Sequence, residues 1–292
     1  LALSRRTTRR HFLLHPDEAR EMEQIYWYCL AHAAKLHGIV VHAACLMSTH
    51  AHEVITDVRG VYPKFLETLH RNLAQCTKAL RGWPEEVFNK RSTGVHALLT
   101  PAAMVESIAY LIANPVEAGA VRYAKDWPGA HTLAADVGAR VIRVKRPTHY
   151  FRPDNPDWPD KVELSLTLPP QLEQRYTAQE IRNSVSQELE RQEGLAHQEV
   201  KTRNWRVLGS ERVRRLSPYR RAKSFEPLRG RNPTFAVGRG QKNAFFAAVA
   251  ELRAFRRAYR QALERRRSGL RDTVFPKGTW SMCCLHRVAV SA

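Results

Sequence analysis

Over the first third of the chain the apolar positions alternate between blocks of helical and strand period. Met22, Ile25, Tyr26, Cys29, Leu30, Ala33 and Leu36 form one stripe at helical spacing, which predicts an amphipathic helix over 16–37. Pro16 suits its first turn, Asp17 and Glu18 suit the positive end of its dipole, and Gly38 is placed to end it. Ile39–Met47 is an apolar strand candidate, and His50–Asp57 reads as its antiparallel partner across a Ser48-Thr49 turn. Phe65, Leu66, Leu69, Leu73, Cys76 and Leu80 predict a second helix over 63–80. Gly94–Leu99 reads as a short strand. Pro101 opens a third helix through Ile112, and Pro115 is expected to stop it, because the residue before proline avoids the α region. Leu1–Ser4 and His11–Leu14 add short β-like pieces. The order strand, helix, strand, strand, helix, strand, helix suits an α+β fold, an antiparallel sheet with helices on one face.

After Trp127-Pro128-Gly129 the periodicity weakens. Residues 135–160, with Pro147, Pro153, Pro156 and Pro159, read as a connector. Beyond it come a strand-like stretch at Val162–Leu168, a charged helix at Leu172–Gln198 and a basic stretch at 201–243. Asn243–Arg267 reads as a helix with Phe246, Val249, Leu252, Phe255 and Tyr259 on one side, expected to pack by that side. Short β-like runs fill Val274–Val290. The expected organisation is a domain at 1–134, a connector at 135–160 and a basic, mainly α-helical region at 161–292. No apolar run approaches the ~18 residues of a membrane span, and no signal peptide is visible. The five cysteines are odd in number and two, Cys283 and Cys284, are adjacent, which argues against a disulfide framework. A cytoplasmic protein is expected. The chain starts with Leu1, so either residues precede it or the start codon is unusual.

Charge changes the picture most in the second half. The formal net charge is +19, and residues 201–270 hold 20 Lys and Arg against 4 Asp and Glu. Arginine forks match phosphate geometry, so nucleic acid is the expected partner. Arg212, Arg214, Arg215, Arg220 and Arg221 form the densest cluster, with Tyr219 inside it. Aromatics among arginines suit stacking on unpaired bases plus phosphate contact. A second cluster, Arg256, Arg257 and Arg260 among others, lies on the predicted helix at 243–267.

The candidate chemistry lies in the first half. On a strand, residues i and i+2 point to one face, so His50 and His52 project together, and imidazole is a common ligand for divalent metals. On a helix, i and i+4 share a face, so Tyr110 and Asn114 present a phenol and an amide oxygen together. Tyrosine is a weak nucleophile at neutral pH, because its pKa is about 10. A metal ion helps it by polarising the electrophile.

Met47-Ser-Thr-His-Ala-His-Glu-Val-Ile55 resembles the Met-x-Asn-His-x-His-aliphatic segment of the single-tyrosine HUH transposases. Tyr110-Leu-Ile-Ala-Asn-Pro-Val-Glu-Ala-Gly-Ala-Val121 is similar to the Tyr-x-x-x-Asn-Pro-Val-x-Ala-Gly-x-Val segment of their REP-associated tyrosine transposase branch. The resemblance covers roughly residues 1–130 and is more specific in the tyrosine segment. It implies a ferredoxin-like, RRM-like sheet, His50 and His52 as ligands of Mg²⁺ or Mn²⁺, and Asn114 as a third ligand or positioning group. It also implies Tyr110 as the nucleophile on single-stranded or hairpin DNA, leaving a 5′-phosphotyrosine and a free 3′-hydroxyl. Three positions depart from the pattern: Thr49 replaces asparagine, Glu53 an aliphatic residue, and Glu117 the common arginine. The competing readings are a non-catalytic nucleic-acid-binding protein on the same fold, a replication initiator or relaxase, and an RNA binder. The long C-terminal part favours a monomer over a dimer.

Overall fold

A computed structural model describes residues 1–89, 93–223 and 234–291. The chain divides into two compact units, Leu1–Gly238 and Arg239–Ala292.

The first unit is α+β, built on a mixed five-stranded sheet. Its strands are β1 (Ala2–Arg6), β2 (Ile39–Leu46), β3 (His50–Asp57), β4 (Gly94–Leu98) and, later in the chain, β7 (Phe235–Ala236). The spatial order is β2-β3-β1-β4-β7. The first four pair antiparallel, but β7 lies parallel to β4, which corrects the expectation of a purely antiparallel sheet. The helices α1 (Glu21–His37) and α2 (Tyr62–Arg81) join β1 to β2 and β3 to β4, and α3 (Pro101–Glu117) follows β4.

Alternation along the strands assigns the faces. Leu3, Ala44, Leu46, Ala51 and Ile55 pack with α1 and α2 in one core. Ala43, Cys45, Met47 and Val54 pack with Ile108, Leu111 and Ile112 of α3 in a second. Helices therefore cover both faces, which corrects the one-face expectation. The central strands are apolar at successive positions, the pattern of a sheet buried on both sides.

The stretch expected as a connector belongs to the first unit. Residues 135–160 contain β5 (Val141–Lys145), which forms a hairpin with β6 (Lys161–Ser165). Ile142, Phe151, Val162 and Leu164 enter the α1–α2 core. Phe151 meets Tyr28 of α1 with ring centroids 4.9 Å apart, and the Tyr28 hydroxyl donates to the Pro159 carbonyl. Its prolines shape a packed loop rather than a tether. Further on lie α4 (Pro170–Glu173), α5 (Ala178–Thr202), which packs along α3, and α6 (Ser210–Arg214).

Helix α1 starts five residues later than Pro16 would suggest. Arg20 takes a left-handed conformation (φ 58°) and blocks a continuous helix. Asp17 instead accepts from the backbone N–H groups of Glu21 and Met22 at 2.9 and 3.0 Å, and its carboxylate meets Arg81 at 3.3 Å. One carboxylate thus caps α1 and ties it to the end of α2. Asp17→Ala should lower stability by about 2 kcal/mol, the upper end for loss of a cap. Chemical denaturation checks this, and an unchanged midpoint would remove Asp17 from the account of α1.

The second unit holds α7 (Lys242–Arg267) and α8 (Trp280–His286). Tyr259 packs on Phe275 with centroids 5.7 Å apart, beside the buried Ala262 and Val288. Of the expected stripe, Phe246 and Phe255 stay exposed, whereas Val249, Leu252 and Tyr259 are half-buried. This corrects the expectation that the whole apolar stripe packs.

Candidate active site

Strand β3 and helix α3 bring the four predicted site residues together. His50 and His52 lie on the face of β3 that carries Val54, which packs against α3. Their rings meet edge-on, with centroids 4.6 Å apart. On α3, Tyr110 and Asn114 face the same strand. The Tyr110 ring meets His52 edge-on at 5.9 Å, and Asn114 Oδ1 lies 3.0 Å from His50 Nε2.

Helix α3 holds this register because it does not stop before Pro115. Thr100 caps its start, accepting from the Ala103 N–H. Pro115 lies inside the helix, which runs to Glu117 and closes on Gly119 at φ 64°. Proline gives up one backbone hydrogen bond. The Ala118 N–H still donates to the Asn114 carbonyl, and the Ala120 N–H to Pro115. The expected stop at Ile112 is thereby corrected, and the extra turn is the one that fixes Asn114.

Exposure separates the roles. Tyr110 is 44% exposed, so its ring is open to solvent. Asn114 is buried, and the two histidines are half-buried. Burial, then Arg6, lower the His50 pKa to about 4, with Asn114 opposing and Arg10 adding to the effect. Burial, then His50 and Arg6, lower His52 well below the usual histidine range, opposed by its hydrogen bond to the main chain of Leu3. Both imidazoles are neutral at pH 7, the form that ligates metals.

Both ring nitrogens of His50 are engaged: Nε2 donates to Asn114 Oδ1 at 3.0 Å, so in the neutral ring Nδ1 accepts from the Thr49 hydroxyl at 2.9 Å. His52 is held by the main chain of Leu3. Thr49 thereby sets the tautomer and orientation of His50 despite its departure from the motif. Among the described residues, no three His, Cys, Asp or Glu side chains gather as a metal shell. The donor set here is two imidazoles and one amide oxygen. An ion held by His50 and Asn114 would replace the hydrogen bond between them. The set suits a divalent ion that accepts nitrogen, Mn²⁺ more readily than Mg²⁺, with water or phosphate oxygens completing the shell.

Glu53 is turned away from this cluster. It lies on the α1 face, is 1% exposed, and accepts at 2.8 Å from the Tyr26 hydroxyl. Burial pushes its pKa up to about 7, against the Tyr26 hydrogen bond. Glu117 has Glu199 and Arg191 of α5 as charged neighbours. His42 is a core residue, bonded to Thr56 Oγ1 and to the Thr167 carbonyl.

No family model, curated protein or solved structure matches this chain.

The predicted basic residues fall in both units. Arg212, Arg214 and Arg215 are exposed on and just after α6, with Arg215 3.7 Å from Glu18. Arg220 and Arg221 are exposed, and the Tyr219 ring meets Trp83 at a tilt with centroids 5.8 Å apart. Arg256, Arg257 and Arg260 are exposed on α7 in the second unit. Sequence reasoning missed Ser4 and Arg6, which pair directly with His52 and His50 across the β1–β3 ladder. Only the register of β1 reveals them. Among the described residues, no helix is long and apolar enough to cross a membrane.

Proposed function

We propose that this chain is a metal-dependent single-stranded DNA endonuclease and strand transferase of the single-tyrosine HUH type, close to the REP-associated transposases. One observation carries the reading. Two segments that resemble the family's motifs, 64 residues apart between His50 and Asn114, meet at hydrogen-bond distance with the tyrosine ring on the second histidine. The antiparallel order β4-β1-β3-β2 is also the order of a ferredoxin-like sheet, here extended by β7.

In this reading His50, His52 and Asn114 hold a divalent ion, which supplies positive charge to polarise the scissile phosphate. Tyr110 Oη forms a bond to phosphorus, and the bond from phosphorus to the 3′-oxygen breaks. The phenol gives up its proton and the 3′-oxygen gains one. The products are a 5′-phosphotyrosine and a free 3′-hydroxyl. One phosphoester replaces another, so no ATP is needed and the reverse step rejoins a strand. The exposed arginines hold the DNA by its phosphates.

The test is incubation of the full chain with single-stranded hairpin oligonucleotides from the flanks of its own gene, with Mn²⁺, followed by a denaturing gel. A protein–DNA adduct that needs the metal is expected. A decayed, purely DNA-binding protein would retain the oligonucleotide on a native gel and give no adduct.

A further inference from the structure

Beside the histidine pair lies a cationic surface. In an antiparallel ladder, residues directly opposite share a face with Cβ atoms about 5 Å apart. Arg6 is directly opposite His50, so its side chain leaves the sheet on the site face, and it is exposed. The chain then turns sharply. Arg9 and Arg10 both adopt left-handed backbone conformations, with φ 46° and 60°. Such a conformation costs a non-glycine residue roughly 1–2 kcal/mol.

A remote segment docks on this turn. The Phe12 N–H donates to the Arg220 carbonyl at 2.9 Å, and the Ala222 N–H donates to the Arg10 carbonyl at 3.1 Å. His11 bridges to Arg221, and its Nδ1 lies 3.0 Å from the Tyr219 carbonyl. The pairing brings Arg220 and Arg221 beside Arg10. Tyr219, 52% exposed, meets Trp83 at a tilt, and the His11 ring lies 4.9 Å from Trp83. Arginines alternating with an exposed aromatic suit an unpaired strand, with phosphates on the guanidinium groups and a base on the ring.

We infer that Arg6, Arg10, Arg220 and Arg221 form one phosphate track that leads single-stranded DNA, with a base on Tyr219, to the His50–His52–Tyr110 cluster. Arg6 is the residue at the scissile phosphate. This inference rests on the proposed function for its endpoint, whereas the track itself is a statement about strand binding.

The experiment measures binding of a fluorescent single-stranded oligonucleotide against salt concentration. It compares the wild type, Arg6→Gln, Arg10→Gly and the double variant Arg220→Ala/Arg221→Ala, with adduct formation in Mn²⁺ recorded in parallel. Each lost phosphate contact should lower the salt slope by about 0.7, and the double variant by about 1.4. Arg10→Gly should lower the slope, and the left-handed backbone at this position (φ 60°) accommodates glycine. Arg6→Gln should slow adduct formation about 100-fold at saturating oligonucleotide, the scale of losing one donor to developing charge. Unchanged slopes in all three variants would overturn the track even if the wild type forms the adduct. Reduced slopes with no adduct from the wild type would keep the track and overturn the catalytic reading.

Discussion

Tyr110→Phe binds single-stranded DNA as the wild type does and forms no covalent adduct: this is the largest effect the account expects. The substitution keeps the ring that meets His52 at 5.9 Å and removes only the oxygen that would attack phosphorus. The ring is 44% exposed, so losing the hydroxyl should cost no more than about 1 kcal/mol of stability. Loss of a nucleophile lowers turnover by about 10⁶-fold, below what a denaturing gel detects. If Tyr110 served only to pack beside Ile108 and Leu111, phenylalanine would leave the adduct in place. A gel comparing the two proteins at equal oligonucleotide occupancy separates these cases.

The second large effect is expected at the histidine pair. His50→Ala and His52→Ala should each weaken Mn²⁺ binding by more than about 100-fold, since even the partners behind a metal ligand are worth 10–100-fold. Cleavage falls with it. DNA affinity stays near the wild-type value, because phosphate contacts dominate it and arginines supply them. His50→Ala also strips Asn114 Oδ1 of its 3.0 Å partner inside the fold, so its melting temperature should fall further than that of His52→Ala. Calorimetric titration with Mn²⁺ reads the metal directly. A wild type that takes up no divalent ion would contradict the assignment of His50, His52 and Asn114.

Much of the first unit was legible because its elements carry strong periodic signals. Strand β3 falls on the expected residues His50–Asp57, and α2 at Tyr62–Arg81 lies within a residue of its apolar stripe. The spacing i, i+2 on a strand and i, i+4 on a helix puts each pair on one face, but it was the resemblance of the two segments to the HUH motifs that singled out His50, His52, Tyr110 and Asn114. What sequence could not supply was the placement of distant segments. The parallel strand β7 is two residues long and carries no periodicity of its own. The docking of Arg220 on Phe12 is made by backbone groups, which every residue has. The start of α1 was misplaced because Pro16 and Asp17 read as a first turn, whereas Asp17 caps from outside after Arg20 breaks the helix. Pro115 misled in the opposite sense, since a proline near a helix end costs one hydrogen bond and the remaining turn is held by Ala118 and Ala120.

The central claim is that the phenol of Tyr110 becomes bonded to DNA. Peptide mapping by mass spectrometry of the adduct, trapped with Mn²⁺ and a single-stranded substrate, tests it most directly. The account predicts a nucleotide mass on the peptide containing Tyr110 and on no peptide carrying any of the other eight tyrosines. A nucleotide on another tyrosine, or strand cleavage with no protein-bound nucleotide at all, would contradict it.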